Sequence, residues 1–374
     1  MWSRQNASGI LGWEKLDDAS YVAIGVYLMI LAPIAIFGNC LVLFVFWRKS
    51  LYKRPVNWFI VNLAVSDLIV AVFAHPLSAI SSFSQRWSLA TTGCYLYGFI
   101  AYTGGCNNIM TYAAISYFRC QIVCDNRYVA RVKGGRIISM LVSIWMFSLF
   151  WTVSPLLGWN TYELEPYELT CSLRWFGNSA ADKSYIWLCL IFVYLSPLSI
   201  MIYSYIRIAK HARRLSASSL PGNNETKSKF LYNLEKGATR ISLIMTFTFM
   251  FTWTPYAILS LMTSVGLITR SPAILLPTLF AKSSCAYNPF VFFLSHNTFK
   301  SFNWGFASCA QNKEEQESTK VYISRVRFQN RIKPSDTASS STAKVDSTRR
   351  DIDHQKSSRH VTLTVSDLME TSTG

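Results

Sequence analysis

Lys282 is the residue whose chemistry is least expected at its position. It stands near the middle of an apolar stretch, Leu-Leu-Pro-Thr-Leu-Phe-Ala-Lys-Ser-Ser-Cys over residues 275–285. Neither end of the stretch is within reach of its four-carbon stem, so the amine does not extend to water. A desolvated lysine loses its proton more readily and becomes a nucleophile that forms a Schiff base with an aldehyde. The alternative is a structural ion pair, for example with Asp67, and position alone leaves both interpretations open.

Asp67 is a second ionisable residue inside an apolar stretch, at the end of Asn-Leu-Ala-Val-Ser-Asp over residues 62–67. An ionisable group within a bilayer is costly and is a functional hypothesis by default. We expect Asp67, Asn39 and Asn288 to form a polar network that is structural or that holds an ion. His75 is interpreted as a polar residue whose hydrogen bonds are satisfied, rather than as a functional group.

Seven long apolar segments have to position these side chains. The chain has 374 residues, of which 51% are hydrophobic and 15% charged, and its mean hydropathy is +0.23, whereas soluble chains are about 25% charged. A transmembrane helix needs roughly 20 mostly apolar residues. The composition excludes a single soluble domain and predicts an all-α membrane protein, a bundle of seven transmembrane helices. The predicted spans are 21–47, 57–80, 95–118, 137–157, 185–206, 240–263 and 273–294.

The formal net charge of +16 lies in short clusters between the spans and in the C-terminal part of the chain. This distribution argues against a nucleic-acid partner, which would require one basic face. Lys and Arg are concentrated in the loops after spans one, three and five, which predicts an outside N-terminus and an inside C-terminus. The predicted organisation is an extracellular N-terminus (1–20), a seven-helix domain with a membrane-surface helix (21–309) and a disordered cytoplasmic tail (310–374).

The predicted topology leaves two of the nine cysteines on the oxidising side of the membrane. Cys94 lies at the outer end of span three, and Cys171 lies in the second outer loop. The other cysteines lie within spans or on the cytoplasmic side, where thiols stay reduced. Two cysteines allow one pairing, so we expect a Cys94–Cys171 disulfide that pulls the loop over the bundle. Two free thiols are the alternative.

Modification sites are predicted outside the spans. Asn6, in an Asn-Ala-Ser sequon, is a candidate for glycosylation. Phe299, Phe302 and Phe306 follow helical spacing and predict a short amphipathic eighth helix on the inner membrane surface, where Cys309 is a candidate for palmitoylation. The tail is rich in Ser and Thr, so phosphorylation by a receptor kinase would add charge for an arrestin-like partner. Binding of the tail to anionic lipid is the alternative.

Short motifs in six of the spans match one known family. They are Gly38-Asn39, Leu63 to Asp67, Trp145, Pro197 with Tyr205, Trp253 to Pro255, and Asn288-Pro289. With these motifs the sequence resembles a rhodopsin-type G-protein-coupled receptor over about residues 20–310, and specifically an opsin. Lys282, six residues before Asn288, matches the lysine to which opsins attach retinal. The resemblance implies a retinal Schiff base on Lys282, packed against Trp253, with Tyr97 and Tyr256 in the same pocket.

A protonated Schiff base in an apolar pocket requires a nearby anion. In vertebrate visual opsins a glutamate stands three residues after the outer cysteine of span three, but this sequence has Tyr97 there. The other family position, six residues before the loop cysteine, is Glu165. The resemblance therefore implies that Glu165 is the counterion, with Glu168 as the fallback. If neither is close, the Schiff base would be neutral and absorb in the near ultraviolet.

Several short sequence segments are most similar to one group of opsins, which comprises the retinal G-protein-coupled receptor, peropsin and retinochrome. Members of that group resemble photoisomerases, which bind all-trans retinal and convert it to the 11-cis form in light. Two functions therefore stay open: a light-activated receptor, which is the main prediction, and a retinal photoisomerase with weak or no G-protein coupling. The segments are His75 to Ala79, Arg86-Trp87, Phe150-Trp151, Pro155 to Trp159, Glu165-Pro166 and Phe280 to Ser284.

The inner ends of spans three and seven depart from the family pattern. The family has Glu or Asp, then Arg, then Tyr, whereas residues 118–120 read Phe-Arg-Cys. The resemblance implies that Arg119 pairs with Glu235 as an inactive-state latch and that Tyr205 serves the active state. Phe292 replaces the tyrosine of span seven. These departures predict weaker activation of a heterotrimeric G protein or raised basal activity, and they leave the G-protein class open.

A transporter or a channel would share the hydropathy of a receptor. It is disfavoured because the sequence shows no inverted repeat and no paired broken helices among its spans. The expected protein is a multi-pass protein of the plasma membrane or a photoreceptor membrane, which contacts lipid and binds 11-cis or all-trans retinal.

Overall fold

A computed structural model describes residues 16–125, 134–175, 177, 179–217, 223–267 and 275–295. Within these residues the helical segments form seven long helices, numbered α1 to α7. Asn6, Cys309, the amphipathic eighth helix and the Ser/Thr-rich tail of the sequence prediction lie outside the described residues.

Four helices of the described chain are continuous: α1 (Asp18–Arg48), α3 (Thr91–Cys124), α4 (Gly134–Val153) and α6 (Asn223–Ser264). The other three contain an interruption. Helix α2 runs Trp58–Ile69, passes a π-helical turn at Val70–Ala74 and continues as His75–Phe83. Helix α5 runs Ala180–Cys189, passes a π-helical turn at Leu190–Leu195 and continues as Ser196–Ala217. Helix α7 consists of Leu275–Lys282 and Ser284–Ser295, with Ser283 in a turn between them. Short 3₁₀ turns lie at Leu51–Lys53, Pro55–Asn57, Ser154–Leu157 and Pro166–Glu168.

The loop between α4 and α5 folds into a hairpin over one end of the bundle, which we call the hairpin end. Strand β1 (Tyr162–Leu164) pairs antiparallel with β2 (Cys171–Leu173). A disulfide joins Cys171 to Cys94 of α3, so the predicted pairing is confirmed. Gly98 of α3 lies directly under the hairpin, because a Cβ atom there would come within 2.5 Å of the Tyr162 ring.

Helix α3 is the centre of the bundle and contacts α2, α4, α5 and α6. Polar side chains join three of these helices. Asn62 of α2 donates to Asn107 Oδ1 at 2.7 Å and to Thr111 Oγ1 at 2.8 Å, and Trp145 of α4 donates to Asn62 Oδ1 at 2.8 Å. Such interhelical hydrogen bonds stabilise helix packing where the surroundings are as apolar as the helices themselves.

Five segments of the described chain are long and apolar enough to cross a membrane: Asp18–Arg48, Pro55–Phe83, Gly134–Leu157, Ala180–Ala217 and Glu235–Ser264. Helix α3 is not among these five segments, because it contains many polar side chains. Its central position lets it bury them against neighbouring helices. Helix α7 is also not among the five, because Ser283 divides it into two segments that are each too short to cross a membrane. Both still pack within the bundle, so hydropathy is a weaker guide for central or broken helices.

The predicted spans leave residues 207–239 as a loop between spans five and six, but the structure places most of this stretch in helices. Helix α5 continues to Ala217 and α6 begins at Asn223. Lys210, Arg213 and Lys229 therefore belong to helices rather than to a loop. The criterion of roughly 20 apolar residues detects only the part of a helix that lies in hydrocarbon, and both helices continue beyond it with polar faces.

Gly104 of α3 is a position where we expect any side chain to destabilise the bundle. A Cβ atom there would lie 2.3 Å from Cγ2 of Val70, at the start of the π-helical turn of α2. Overpacking of this kind costs about 1–3 kcal/mol, so Gly104→Ala should lower the midpoint of thermal unfolding. Gly135→Ala is the matched control, because a Cβ atom at Gly135 meets nothing within 4 Å. Equal midpoints for the two variants would contradict the close packing of α2 on α3.

Candidate functional site

A cavity of about 200 Å³ lies within the bundle beneath strand β2. Helices α2, α3, α5, α6 and α7 form its sides. Most of the wall is apolar or aromatic, and a few ionisable groups interrupt it, as is typical of small-molecule sites. The wall includes Tyr97, Gly105, Cys106, Glu165, Leu173, Cys189, Phe249, Trp253, Tyr256 and Lys282.

Lys282 presents its amine to this cavity from the last residue of the first segment of α7. The Nζ atom donates a hydrogen bond to the hydroxyl of Tyr97 at 2.9 Å. That hydroxyl is also 2.7 Å from Oγ of Ser78. The amine of α7 is therefore connected through α3 to α2.

Asp67 does not form the ion pair with Lys282 that position alone left open. Its Oδ1 accepts from Asn108 Nδ2 at 2.7 Å, and its Oδ2 accepts from Asn288 Nδ2 at 2.7 Å. No salt bridge between the two described residues Lys282 and Asp67 is formed. Both carboxylate oxygens of Asp67 are thus occupied by amides rather than by the amine.

The expected network around Asp67 needs one correction. Asn39 donates to backbone carbonyls of α1 and α7, each at 2.9 Å, instead of to Asp67. Asn108 of α3 takes its place, and Tyr112 of α3 adds a hydrogen bond of 2.5 Å to Asn288 Oδ1. The network therefore joins α2, α3 and α7, because α3 rather than α1 lies beside Asp67.

The two candidate carboxylates lie in different surroundings. Glu165 belongs to the cavity wall, where Oε1 accepts from the hydroxyl of Tyr256 at 3.3 Å and Oε2 accepts from Oγ1 of Thr170. Glu168 is described but is not part of the wall. Of the two, only Glu165 shares the cavity with Lys282.

The hairpin carries a third acidic residue, Glu163, in an ion pair away from the cavity wall. Arg174 donates to Glu163 Oε2 at 2.9 Å, and both side chains are more than a third exposed. The hydrogen bond with Glu163 raises the pKa of Arg174 above its ordinary value. The pair holds the two strands together and leaves Glu165 as the carboxylate that faces inward.

The ring of Trp253 of α6 packs directly against Gly105 of α3 in the cavity wall. A Cβ atom at Gly105 would come within 2.8 Å of its ring, so the indole occupies the space that a larger side chain would need. The indole Nε1 donates to Oγ of Ser284 at 3.0 Å. The cavity therefore ends at an aromatic side chain that is hydrogen-bonded to the helix carrying Lys282.

At the opposite end of the bundle, α6 is tied to α3 and α5. The guanidinium of Arg119 donates to Glu235 Oε2 at 2.9 Å and to Oγ of Ser242 at 3.3 Å. The hydroxyl of Tyr205 lies 3.1 Å from Oγ1 of Thr246. These contacts hold the half of α6 remote from the hairpin end against its neighbours.

Comparisons with known proteins agree with this geometry. The family model described as 7 transmembrane receptor (rhodopsin family) matches residues 38–292. The chain belongs to this family. It is 37% identical to the rhodopsin, G0-coupled, of Mizuhopecten yessoensis over 76% of this chain and 72% of that protein. It is 32% identical to opsin-5 of Homo sapiens over 75% of this chain and 79% of that protein.

A solved structure gives the same assignment. The crystal structure of squid rhodopsin aligns with a TM-score of 0.72 and 27% sequence identity, over 81% of this chain and 93% of that chain. Family and relatives together make this an opsin-type receptor and a multi-pass membrane protein. The seven-helix fold predicted from the sequence is confirmed.

Several partners in this opsin's site carry no sequence signal of their own. Ser78, Thr170 and Ser284 each hydrogen-bond a predicted site residue, but an isolated Ser or Thr is common in any helix or loop. His75 corrects an expectation, because only one of its ring nitrogens is hydrogen-bonded. Its Nε2 lies 3.0 Å from Sγ of Cys285, while Nδ1 is buried without a described partner.

Proposed function

We propose that this opsin is a light-activated receptor that holds retinal as a Schiff base on Lys282 and activates a heterotrimeric G protein. The observation that carries the proposal is a primary amine in the wall of an apolar cavity at the centre of a seven-helix bundle. An amine buried in this way is suited to covalent attachment of an aldehyde.

The cavity wall fits retinal in its chemistry. Trp253, Tyr256 and Phe249 provide aromatic surface for a long conjugated hydrocarbon. When bound, retinal supplies the light-absorbing polyene and the aldehyde carbon that Lys282 attacks. The protein supplies the orientation, since the hydrogen bond to Tyr97 directs Nζ toward α3.

Glu165 is our proposed counterion. Its position in the same wall as Lys282 supports this role, and Tyr256 and Thr170 fix both of its oxygens. The arrangement supports Glu165 over the fallback Glu168, which lies outside the wall. Tyr97, at the position of the vertebrate counterion, acts as a neutral hydrogen-bond acceptor for the amine.

Signal transmission is proposed to use α6. A change of ligand shape alters contacts with Trp253, and its bond to Ser284 links that contact to α7. Only contacts that differ between two bundle states shift their populations. In the active state α6 moves away from α3 and separates Arg119 from Glu235, and Tyr205 and the motif of Asn288 and Pro289 rearrange with it.

Further parts of the proposal concern residues that the structure does not describe. The basic residues between spans support an extracellular N-terminus and a cytoplasmic C-terminus. On that basis we propose glycosylation at Asn6, palmitoylation at Cys309, and phosphorylation of the tail by a receptor kinase with arrestin as a partner. Anionic lipid is proposed to contact the basic inner surface, in a plasma or photoreceptor membrane.

A retinal photoisomerase is the second candidate. It is favoured by the sequence segments around His75, Trp159 and Lys282, which resemble the group of photoisomerases. The Phe-Arg-Cys sequence at 118–120, which departs from the receptor motif, also favours it. The pair of Arg119 and Glu235 favours the receptor instead, since an isomerase has no use for a latch at the end remote from its cavity. The isomer that binds separates the two: 11-cis retinal favours the receptor, and all-trans retinal with an 11-cis photoproduct favours the isomerase.

The first test is the absorption spectrum of the purified protein with 11-cis and all-trans retinal, before and after light, followed by extraction of the retinal. We expect a visible or near-ultraviolet band that is absent from Lys282→Ala, because Lys282 is the one lysine among the described residues that line the cavity. Acid denaturation is the control for covalent attachment: the wild type should keep a protonated Schiff-base band at longer wavelength than free retinal, and Lys282→Ala should show only free retinal. A band of equal strength in Lys282→Ala would refute the proposal.

The counterion is tested by titrating the visible band with base. A nearby carboxylate favours the charged, protonated Schiff base, so removing it lets the proton leave at lower pH. Glu165→Gln should therefore lose its visible band at a pH at least about one unit below that of the wild type. Glu168→Gln is the matched control and should titrate like the wild type. The reverse ranking of the two variants would make Glu168 the counterion.

The latch is tested by nucleotide exchange on a G protein in darkness. Glu235→Gln removes the charge that holds Arg119, and a buried charge left without its partner costs several kcal/mol. We expect dark exchange to rise several-fold over that of the wild type. Glu163→Gln breaks the exposed ion pair on the hairpin and serves as the control with unchanged exchange. No exchange on any G-protein class, in light or darkness, would favour the photoisomerase.

A further inference from the structure

His75 of α2 is a polar side chain for which the proposed function has no use. It is 1% exposed, lines the same cavity as Lys282 and belongs to the first turn after the π-helical turn of α2. It also lies close enough to Lys282 for the two charges to interact. A titratable ring therefore shares the cavity wall with the amine of Lys282.

One ring nitrogen of His75 lies at hydrogen-bond distance from a thiol, and the other has no hydrogen-bond partner among the described residues. Nε2 is 3.0 Å from Sγ of Cys285, and that thiol donates to the backbone carbonyl of Lys282 at 3.2 Å. In the tautomer in which the thiol donates to that carbonyl, Nε2 donates to sulfur and Nδ1 is a bare acceptor. Nδ1 is buried and has no hydrogen-bond partner among the described residues. A buried acceptor without a partner is costly unless a ligand or water uses it.

Three other ionisable side chains of the wall already form hydrogen bonds with neighbouring side chains. Tyr97 is bonded to Lys282 and Ser78. Glu165 accepts from two hydroxyls, and Asp67 accepts from two amides. His75 therefore offers the cavity a proton acceptor that does not require an existing hydrogen bond to break.

We propose that His75 carries protons during attachment and release of the retinal on Lys282, with Cys285 as its positioning residue. This inference rests on the proposed function, because it concerns the reaction of the same amine. It adds a catalytic role on α2 that is separate from the counterion role of Glu165.

The proton balance of the reaction shows what His75 does. Neutral Lys282 and an aldehyde form a C=N bond, and the aldehyde oxygen leaves as water with the two hydrogens of the amine. Each hydrogen must travel from nitrogen to oxygen. Nδ1 accepts a proton on the nitrogen side and returns it on the oxygen side, so His75 ends unchanged. Hydrolysis runs the same steps backward, and a proton carrier therefore accelerates both directions equally.

The kinetic test uses the full-length protein without retinal. Retinal is added in darkness, and the rate at which the Lys282-dependent band rises is measured for the wild type, His75→Ala and His75→Gln. General acid–base catalysis contributes about 10²–10⁴-fold, so we expect both variants to be at least about tenfold slower. Release into lipid vesicles should slow by the same factor, and the final occupancy and the absorption maximum should stay unchanged.

Chemical rescue separates proton transfer from packing. His75→Ala leaves space for free imidazole, which should restore the rate of attachment, whereas His75→Gln leaves no such space and should not respond. Cys285→Ala should be slowed less than His75→Ala, because the ring remains but loses its anchor. Ser81→Ala is the matched control on the same helix: Ser81 is buried but is not part of the cavity wall, and its rate should equal that of the wild type.

A second readout does not depend on retinal. The reaction of Lys282 with formaldehyde and cyanoborohydride in the retinal-free protein is followed by mass spectrometry, and it should also slow in His75→Gln. If the wild type forms no Lys282-dependent band but this labelling slows, the proposed function fails and the role of His75 stands. If the band forms at the wild-type rate in both His75 variants, or if imidazole restores nothing, the role of His75 is overturned.

Discussion

A primary amine inside an apolar bundle has to find its hydrogen-bond acceptors among other side chains, because hydrocarbon offers none. In this opsin the amine of Lys282 donates a hydrogen bond to the hydroxyl of Tyr97 of α3. The same helix carries Cys94, whose disulfide holds the hairpin in place. Helix α3 therefore carries both the hydrogen-bond acceptor of the amine and the cysteine that anchors the hairpin with Glu165. Any displacement of α3 would alter both together, which makes the central helix the reference for the whole site.

The sequence predicted the number and order of the helices better than their extent. The length of an apolar run indicates only the part of a helix that lies in the hydrocarbon of the membrane. The polar continuations of α5 to Ala217 and of α6 from Asn223 were therefore missed. The break at Ser283 was also missed, because nothing in the sequence there requires a helix to stop. The disulfide was predictable because topology left two cysteines on one side of the membrane.

The site was predictable where a residue type is rare in its surroundings. Lys282, Asp67 and Arg119 stand out in apolar segments, and the structure gives each a defined partner. Which neighbour serves as that partner depends on helix rotation, which periodicity does not determine. The sequence analysis expected Asn39 beside Asp67, and packing placed Asn108 there instead. Our proposal of Glu165 over Glu168 depends likewise on the fold of a loop, which places Glu165 and not Glu168 in the cavity wall.

The π-helical turn at Val70–Ala74 has a consequence for comparing opsins with one another. A turn with one extra residue rotates everything after it by about 100° relative to a regular helix. Ser78 and His75 follow that turn, so their direction toward Tyr97 and Cys285 depends on it. An opsin with a regular second helix would present different residues to its cavity even if the surrounding letters were identical. Equivalent positions in α2 are therefore to be matched by direction in space, with a one-residue gap inside the helix where the turn is lacking.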